Sequence, residues 1–338
     1  MQIDAAKEWQ LATEIMSQGI AECSDLYEDS PPLALEMIRE AASVFSDHLS
    51  NRPVMLGQVL GEYLHRAVMK DKGDAVTLLA QLGANPDWRE FDKASNVSIK
   101  RTPLQWLAAN GDDEEWMINI LVSAGAQLDS GTKVKMDESP LLLAVKAGKA
   151  TKASTLLDLG ANPNAKTSDK QETALHLLTN TEVAKTKTNI QVRMIKDLLE
   201  AGADPLIPDA NGFTPLFRAI EHGEIASIQA LLDSGKYSKQ FLDVGLIVIA
   251  QRGHLAEGVE IVNELIKRGA DIRCKYEGLT PLEFAQRSMN TPFKEAMVRH
   301  ITSLTMAGNI MDAMPTDGEP DSGKRTSSKP KSSDSPSL

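Results

Sequence analysis

The stretch NGFTPLFRAIEHGEIASIQALLDSG, from Asn211 to Gly235, holds two short apolar runs that are separated by a glycine at position 223. Within each run the apolar residues recur every three or four positions, which is the spacing of one face of an α-helix. The stretch therefore predicts two helices of about ten residues each, a length at which an isolated helix is marginal in water. Because such helices need neighbours, the stretch indicates one unit of a stack.

The residues at the ends of the two runs fit helix ends. Thr214 can accept a hydrogen bond from the unpaired N–H groups of the first turn. Pro215 fits the first helical position, where its missing N–H is not needed. Gly223 breaks the first helix, and Gly235 follows the second helix where a left-handed residue is favoured. We therefore expect the helices to run between these residues, with Thr214 as a capping residue.

The Thr-Pro step or a close variant of it, hereafter the start marker, recurs along the chain. Copies begin at residues 102, 139, 173, 214 and 280, and weaker copies begin near 62 and 244. A second motif, hereafter the exit marker, reads LGANPD at 82–87, SAGAQLD at 123–129, LGANPN at 159–164, EAGADPL at 200–206 and KRGADIR at 267–273. The two markers together predict about six to seven repeats of a helix pair.

The TPLxxA start, the internal glycine and the LLxxGA exit resemble the ankyrin repeat. The resemblance spans residues 62–305 and implies an all-α solenoid of stacked helix-turn-helix pairs with extended finger loops. The spacing departs from the family's period of about 33 residues. The extra length falls mostly at 86–101, 127–138 and 180–193, which are either functional loops or tolerated insertions.

The two ends of the chain differ from the array. Residues 1–61 predict a helical N-terminal cap with helices at 5–20 and 33–49, and a small separate module is the alternative. Residues 306–338 are expected to form a disordered tail, because Ser, Pro, Lys, Gly and Asp dominate the end of the chain and apolar residues nearly vanish there. The sequence leaves open whether this tail is solubilising, modified or an export signal.

The composition limits the classes of function. The 338 residues carry a net charge of −11, which disfavours a general phosphate-backbone binder because such a protein needs a basic face. Cys23 and Cys274 give neither a disulfide framework nor a paired metal site, and a reducing cytoplasm is the expected compartment. No apolar run is long enough to span a membrane, and the N-terminus lacks a secretory signal. Delivery into a host cell without a cleaved N-terminal signal is compatible with these features.

Patterns typical of catalysis are missing from the sequence. The six histidines form no close ligand pair, and no nucleophile motif or dinucleotide-binding glycine motif occurs. The ankyrin resemblance gives His65 and His176 a structural role, as residues that hydrogen-bond between repeats. We therefore predict that the chain is not an enzyme and has no catalytic residues, cofactor or metal site.

The resemblance also implies where a partner binds. Ankyrin proteins usually bind through a concave face that consists of the finger tips and the exposed ends of the first helices. Aromatic and arginine side chains are favoured there because they dominate binding hot spots. The predicted contact residues are Trp88, Arg89, Asn110, Lys146, Phe213, Glu221, His222, Arg252 and Tyr276.

The sequence thus favours a non-enzymatic protein–protein interaction module that is monomeric when unbound. Its partner is another protein, and the module acts as an adaptor, an inhibitor or immunity protein, or a host-directed effector. One alternative is an enzyme or effector with a small catalytic module in residues 1–61 or in the long loops. A second alternative is nucleic-acid binding through local basic fingers at Lys166, Lys170, Lys185 and Lys187, which the overall acidity disfavours.

Overall fold

A computed structural model describes residues 5–24, 32–89, 91–92, 97–98, 101–110, 115–129, 138–179, 188–252, 257–287 and 291–313. These ranges contain sixteen helices and one hairpin of two-residue strands, so the all-α prediction is confirmed. None of the helices in these ranges has the length and apolar composition that crossing a membrane requires.

The helices are arranged in pairs. The N-terminal pair consists of α1 (Ala5–Glu22) and α2 (Pro32–His48). The seven pairs that follow are α3 (Pro53–Met69) with α4 (Gly73–Gln81), α5 (Pro103–Ala109) with α6 (Glu115–Ser123), α7 (Pro140–Lys146) with α8 (Ala150–Asp158), α9 (Ala174–Leu178) with α10 (Thr188–Glu200), α11 (Pro215–His222) with α12 (Ile225–Leu232), α13 (Lys239–Arg252) with α14 (Gly258–Lys267), and α15 (Pro281–Arg287) with α16 (Thr291–Ala313). Between α4 and α5, strand β1 (Phe91–Asp92) pairs antiparallel with β2 (Val97–Ser98).

The seven pairs after the N-terminal pair form two parallel rows, and each pair is one unit of the stack. Each first helix packs against the first helices of the neighbouring units, and each second helix packs against the neighbouring second helices. The buried side chains form one continuous core that runs from Ala12 in α1 to Ile301 in α16. The expectation that these short helices are stabilised by their neighbours therefore agrees with the packing.

Two first helices begin earlier than the sequence predicts. Helix α3 begins at Pro53 rather than near residue 62, and α13 begins at Lys239 rather than near 244. In four of the other five units, a proline follows the first residue of the start marker and disfavours helical geometry in the residue before it, whereas α9 begins at its marker with Ala174 in that place. Both weak copies lack that proline, with Tyr63 and Gly245 in its place.

Two predicted domain boundaries fall inside helices. Residue 62 lies within α3, and residue 306 lies within α16, which continues to Ala313. The first eight residues of the predicted tail are therefore helical, and residues 314–338 lie outside the described ranges. The division of the chain into a cap, an array and a tail otherwise stays a prediction.

The start markers cap their helices in several units but not in all. Thr102 accepts a hydrogen bond from the N–H of Gln105 (3.2 Å), and the Gln105 side chain accepts from the N–H of Thr102 (2.9 Å). Thr280 and Glu283 form the same reciprocal pair. Ser139 accepts from the N–H of Leu142.

The capping prediction is wrong for Thr214. Its hydroxyl is buried and has no hydrogen-bond partner among the described residues. The backbone φ is −82° at Thr214 and −83° at Thr173, against −61° at Thr102. At Thr173 the hydroxyl bonds instead to His176 Nδ1 (2.9 Å), whereas the position three residues after Thr214 holds Phe217, which offers no polar atom.

Carboxylate and amide oxygens link successive units through backbone N–H groups. Asp87 accepts from the N–H of Gln127, which holds in the next exit marker the position that Asn85 holds in the first, and the following two exit markers repeat this bond. Three such bonds join successive exit markers: Gln127 N to Asp87 Oδ1 (3.0 Å), Asn162 N to Asp129 Oδ1 (3.0 Å) and Asp204 N to Asn164 Oδ1 (2.7 Å). A related bond, Asp271 N to Asp243 Oδ1 (2.6 Å), joins the exit marker after α14 to α13 of the same pair. The bonds between exit markers set the register of each unit on the next one, beyond what the non-directional apolar contacts provide.

A fully buried lysine links two units at their helix ends. The Lys152 side chain, on α8, is 0% exposed, and its Nζ donates to the carbonyls of Leu107 (2.9 Å) and Asn110 (2.6 Å). These carbonyls lie at the C-terminal end of α5, where backbone oxygens lack helical partners and where a cation is favourable. Gln191 of α10 similarly donates to the carbonyl of Leu178, at the end of α9.

His176 is buried in a single tautomer that joins two units. The backbone N–H of Thr173 donates to its Nδ1 (3.1 Å), so Nδ1 carries no proton, and Nε2–H donates to the carbonyl of Phe213 (2.9 Å). Burial lowers the pKa of His176, and the bond to the Phe213 carbonyl only partly opposes this shift. The inter-repeat hydrogen bond expected for His176 is therefore present.

The substitution Lys152→Met should lower the free energy of unfolding by about 1–3 kcal/mol, because the carbonyls of Leu107 and Asn110 lose their charged donor inside the core. Urea unfolding at neutral pH measures the difference. Lys196→Met, on the exposed face of α10, is the control and should change the free energy by less than about 0.5 kcal/mol. If both variants lost the same free energy of unfolding, the buried hydrogen bonds of Lys152 would make no specific contribution to stability.

Protonation of His176 should destabilise the array. The folded pKa lies below the ordinary value of about 6.5, so the unfolded chain takes up the proton first. The free energy of unfolding should therefore fall as the pH drops below about 6.5, until the folded pKa is passed. Urea titrations across this range should give a steeper fall for wild type than for His176→Gln. Parallel curves for the two proteins would contradict the assignment.

Candidate functional site

The fingers and the exposed ends of the first helices form one surface, hereafter the finger face. The fingers that lie wholly within the described ranges include residues 166–173, 207–213 and 274–279. The first two are joined by a hydrogen bond from the N–H of Ala210 to the carbonyl of Lys170 (2.8 Å). Lys166 Nζ also donates to the carbonyl of Pro208 (3.3 Å), so this basic side chain helps to hold the fingers together.

Asp209 fixes the shape of the finger at 207–213. Its side chain is 1% exposed. Oδ1 accepts from the N–H groups of Asn211 (2.8 Å) and Phe213 (3.0 Å), and Oδ2 accepts from Nε (2.9 Å) and Nη2 (2.6 Å) of Arg218. Burial alone would raise the pKa of the Asp209 carboxyl, but these four donors outweigh it and hold the pKa below its ordinary value.

Arg218 connects this finger to helix α11. Besides Asp209, its guanidinium donates through Nη1 to Glu221 (2.9 Å), and it lies over the ring of Phe213 at 4.7 Å from the ring centroid. The Arg218 side chain is only 20% exposed. The planar guanidinium can pair with carboxylates at its edge while it stacks on a ring with its face. Phe213 and Glu221 are therefore held in fixed positions by Arg218.

The row of fingers is interrupted between α12 and α13. Only residues 233–238 connect these helices, whereas the corresponding connection from α10 to α11 runs from 201 to 214. Gly235 turns the chain with a φ of +65°, and the following residues lead directly into α13. The exit marker is degenerate at this point, so the connection has no Asn-Pro or Asp-Pro step to extend it into a finger.

An aromatic patch lies where the finger is missing, and it consists of Phe217, Tyr237 and Phe241. The ring centroids of Phe217 and Phe241 are 6.2 Å apart in a stacked arrangement, and Tyr237 meets Phe241 edge-on at 6.4 Å. All three residues are half-buried. The Tyr237 hydroxyl donates to the carbonyl of Pro205 (3.3 Å), and burial raises the pKa of this phenol, which keeps it neutral.

Two of the predicted contact residues in the early units make internal contacts. Trp88 is half-buried, with its ring 5.7 Å from that of His65. Its Cβ lies so close to α3 that a side chain at Gly61 would overlap it. The Asn110 amide donates to the carbonyl of Trp106 (2.9 Å). Trp88 and Asn110 therefore have structural roles that the sequence did not reveal.

The remaining predicted contact residues are spread along the array. Arg89 is half-buried, and Lys146 is exposed and forms a salt bridge with Glu138. Tyr276 is 47% exposed in the hairpin that ends the last described finger, where it pairs with Leu279. His222 ends α11 and is half-buried, and Arg252 ends α13 with a side chain outside the described set.

The structure thus joins Phe213 and Glu221 through Arg218, and the role of the predicted residues in binding stays a prediction. It adds Arg218 and the aromatic patch, which the sequence reasoning missed. The sequence feature that could have indicated the patch is the degenerate exit marker at 233–235, because a missing finger exposes the side chains behind it. Within the described ranges, no three side chains of the metal-ligating types come close enough to hold an ion.

The chain resembles known proteins in sequence and in structure. A sequence profile described as ankyrin repeats in three copies matches residues 64–167. The curated protein named "Ankyrin repeat and KH domain-containing protein mask-1", from Caenorhabditis elegans, is 31% identical over 254 residues. The aligned part is 74% of this chain but 9% of that relative, so the chain spans less than a tenth of the curated relative's length.

A solved structure supports the same assignment. The crystal structure of the ankyrin repeat domain of Bcl-3, described as a unique member of the IkappaB protein family, superposes with a TM-score of 0.54 at 25% identity. The superposition covers 70% of this chain and 97% of that structure. The stacked helix pairs, the matching profile and these similarities show that the chain carries an array of ankyrin repeats.

Proposed function

We propose that the chain binds a partner protein through the finger face without catalysing a reaction, and that the aromatic patch beside Phe213 is the centre of the contact. The coarser part of this statement follows from the family, because ankyrin repeats indicate a protein–protein interaction module. The assignment of the aromatic patch as the centre of the contact rests on the missing finger between α12 and α13, which leaves Phe217 and Phe241 half-exposed beside the finger at 207–213.

Three properties of the patch support a binding role. Aromatic and arginine side chains supply a large share of binding energy at protein interfaces, and both types occur here. The finger is fixed by the buried Asp209–Arg218 pair, so a partner meets a surface that needs little ordering on binding. The patch joins residues of α11 and α13, and the Tyr237 hydroxyl donates to the carbonyl of Pro205, just before the finger at 207–213.

The finer roles stay alternatives within this proposal. An adaptor, an inhibitor or immunity protein, and a host-directed effector would each use such a surface, and the geometry does not separate them. The enzyme alternative stays open, because α1 and α2 form a helical pair with a groove of their own. For the nucleic-acid alternative, Lys166 holds a neighbouring finger, and Lys185 and Lys187 lie outside the described ranges.

The test compares the patch with a matched pair of apolar residues on the other row of helices. Phe217→Gln together with Phe241→Gln should weaken partner binding by about 2 kcal/mol or more, which is roughly a 30-fold rise in Kd. The control, Leu157→Gln together with Leu199→Gln, changes two half-buried residues of α8 and α10 and should leave Kd within about twofold. The partner is first captured from lysate of the source organism with wild-type protein and is then titrated calorimetrically.

Both double variants must keep the wild-type thermal melt for the comparison to count. Loss of binding in the patch variant alone is the expected result. Equal affinity of the patch variant and wild type would place the contact elsewhere on the array. Equal weakening in both variants would indicate a general effect on the fold.

A further inference from the structure

A groove runs between α1 and α2 on the outer side of the N-terminal pair. Its volume is about 670 Å³, and its floor is apolar. Ala12 and Ala41 are buried at its base, Ile15 and Val44 are half-buried, and Leu11 is 53% exposed. A groove of this size and composition can accept several large apolar side chains.

The other side of the same pair is closed by the array. Phe45 of α2 is 0% exposed, and its ring stacks on Tyr63 of α3 with centroids 5.9 Å apart. Trp9 of α1 packs on Phe45 at 4.8 Å. A terminal unit of a solenoid usually presents a polar outer face to solvent. This pair instead leaves apolar side chains such as Leu11 exposed on its outer face.

The rim of the groove is acidic. Glu8, Glu40 and Asp47 line it, and His48 pairs with Glu8 at 3.3 Å. Within the described chain, neither Glu40 nor Asp47 forms a salt bridge, and no lysine or arginine lines the groove. Helices α1 and α2 each contain three acidic residues and one lysine or arginine, so the pair as a whole is strongly negative.

We propose that this groove binds a basic amphipathic helix of a partner protein. The apolar face of such a helix would cover Leu11, Ile15 and Val44, as in other recognition of a helix by a groove between two helices. Its lysine and arginine side chains would extend to the carboxylates of Glu40 and Asp47, which gives the interaction its selectivity and speeds association. The N-terminal pair would then form a three-helix layer with its partner.

The charge of the rim argues against the other occupants. A second copy that used the same groove would bring Glu40 and Asp47 close to their own counterparts, and like charges at an interface are unfavourable. Anionic lipid headgroups would be repelled in the same way. The basic segment KRTSSKPK at 324–331 of this chain has no apolar residue with which to fill the floor.

The test uses the full chain and three labelled synthetic peptides of equal length. The first is an amphipathic helix with leucine at i, i+3, i+4 and i+7 and with lysine on the flanks. The second replaces the lysines with glutamates, and the third scrambles the first so that its apolar stripe is lost. Fluorescence anisotropy at low and at high salt measures binding. The first peptide should bind at least about tenfold more tightly than either of the others, and more weakly at high salt.

Two double variants with the same change in net charge locate the site. Glu40→Lys with Asp47→Lys reverses the rim and should weaken binding of the first peptide by about tenfold or more. Glu14→Lys with Glu22→Lys reverses two acidic residues outside the groove, each of which accepts a hydrogen bond from a glutamine one turn before it, and should change the affinity by less than about twofold. Leu11→Gln with Val44→Gln tests the floor and should also weaken binding.

Several outcomes would overturn the proposal. Equal weakening in both charge-reversal variants would mean that the peptide senses only the net charge. If the Leu11 and Val44 variant bound the first peptide with unchanged affinity, the apolar floor of the groove would not be part of the binding site. Binding of the chain to vesicles that contain phosphatidylserine would favour a membrane. A concentration-dependent dimer that the Leu11 and Val44 variant abolishes would favour a second copy.

Discussion

The structure depends on one constraint: a helix of seven to nine residues cannot bury its apolar side without a neighbour. Helix α7, with seven residues, has six of them buried, which is possible only because it has α5 and α9 on either side and α8 behind it. Each unit therefore acquires most of its stability at the interfaces with the next units. Apolar contacts of this kind are non-directional, so a further interaction has to fix how the units are placed on each other.

Directional polar bonds supply that placement. The carboxylate and amide oxygens at the exit markers bind the backbone of the following unit, and buried side chains such as Lys152 and His176 reach from one unit to the helix end or finger of another. A shift of one unit by a residue would break the exit-marker bonds and would leave the donors and acceptors around Lys152 and His176 unpaired inside the core, at a cost of about 1–3 kcal/mol for each buried group. The polar bonds therefore favour one placement of each unit on its neighbour over other placements whose apolar contacts would be similarly strong.

The irregular connection between α12 and α13 shows how one local change affects the whole face. Leu206 stands where the earlier units carry the linking Asp or Asn, so no bond of that kind leads from it to the next unit. A related bond is accepted by Asp243, which lies on α13 itself. The missing finger at 233–238 also removes the cover over Phe217 and Phe241, so this departure from the repeat leaves both aromatic rings half-exposed.

Much of this architecture could be read from the sequence, and the exceptions have physical causes. The helix pairs and their order follow from apolar spacing and from the two markers, since both depend on local chemistry. The early starts of α3 and α13 do not follow from the absence of the marker's proline alone, since α9 also lacks it and begins at its marker. The sequence did not predict the internal contacts of Trp88 and Asn110 or the stacking of Arg218 on Phe213. Such contacts depend on how the side chains are arranged in three dimensions, which the spacing of residues along the sequence does not indicate.

Nearest-neighbour packing has a further consequence for binding. The N-terminal groove lies on the first pair, and the aromatic patch lies on the sixth and seventh pairs, with several units between them. In a stack where each unit contacts only the next, a ligand that orders one unit stabilises its neighbours but has little effect on a distant one. The two surfaces are therefore energetically separable, so occupation of one need not alter the affinity of the other.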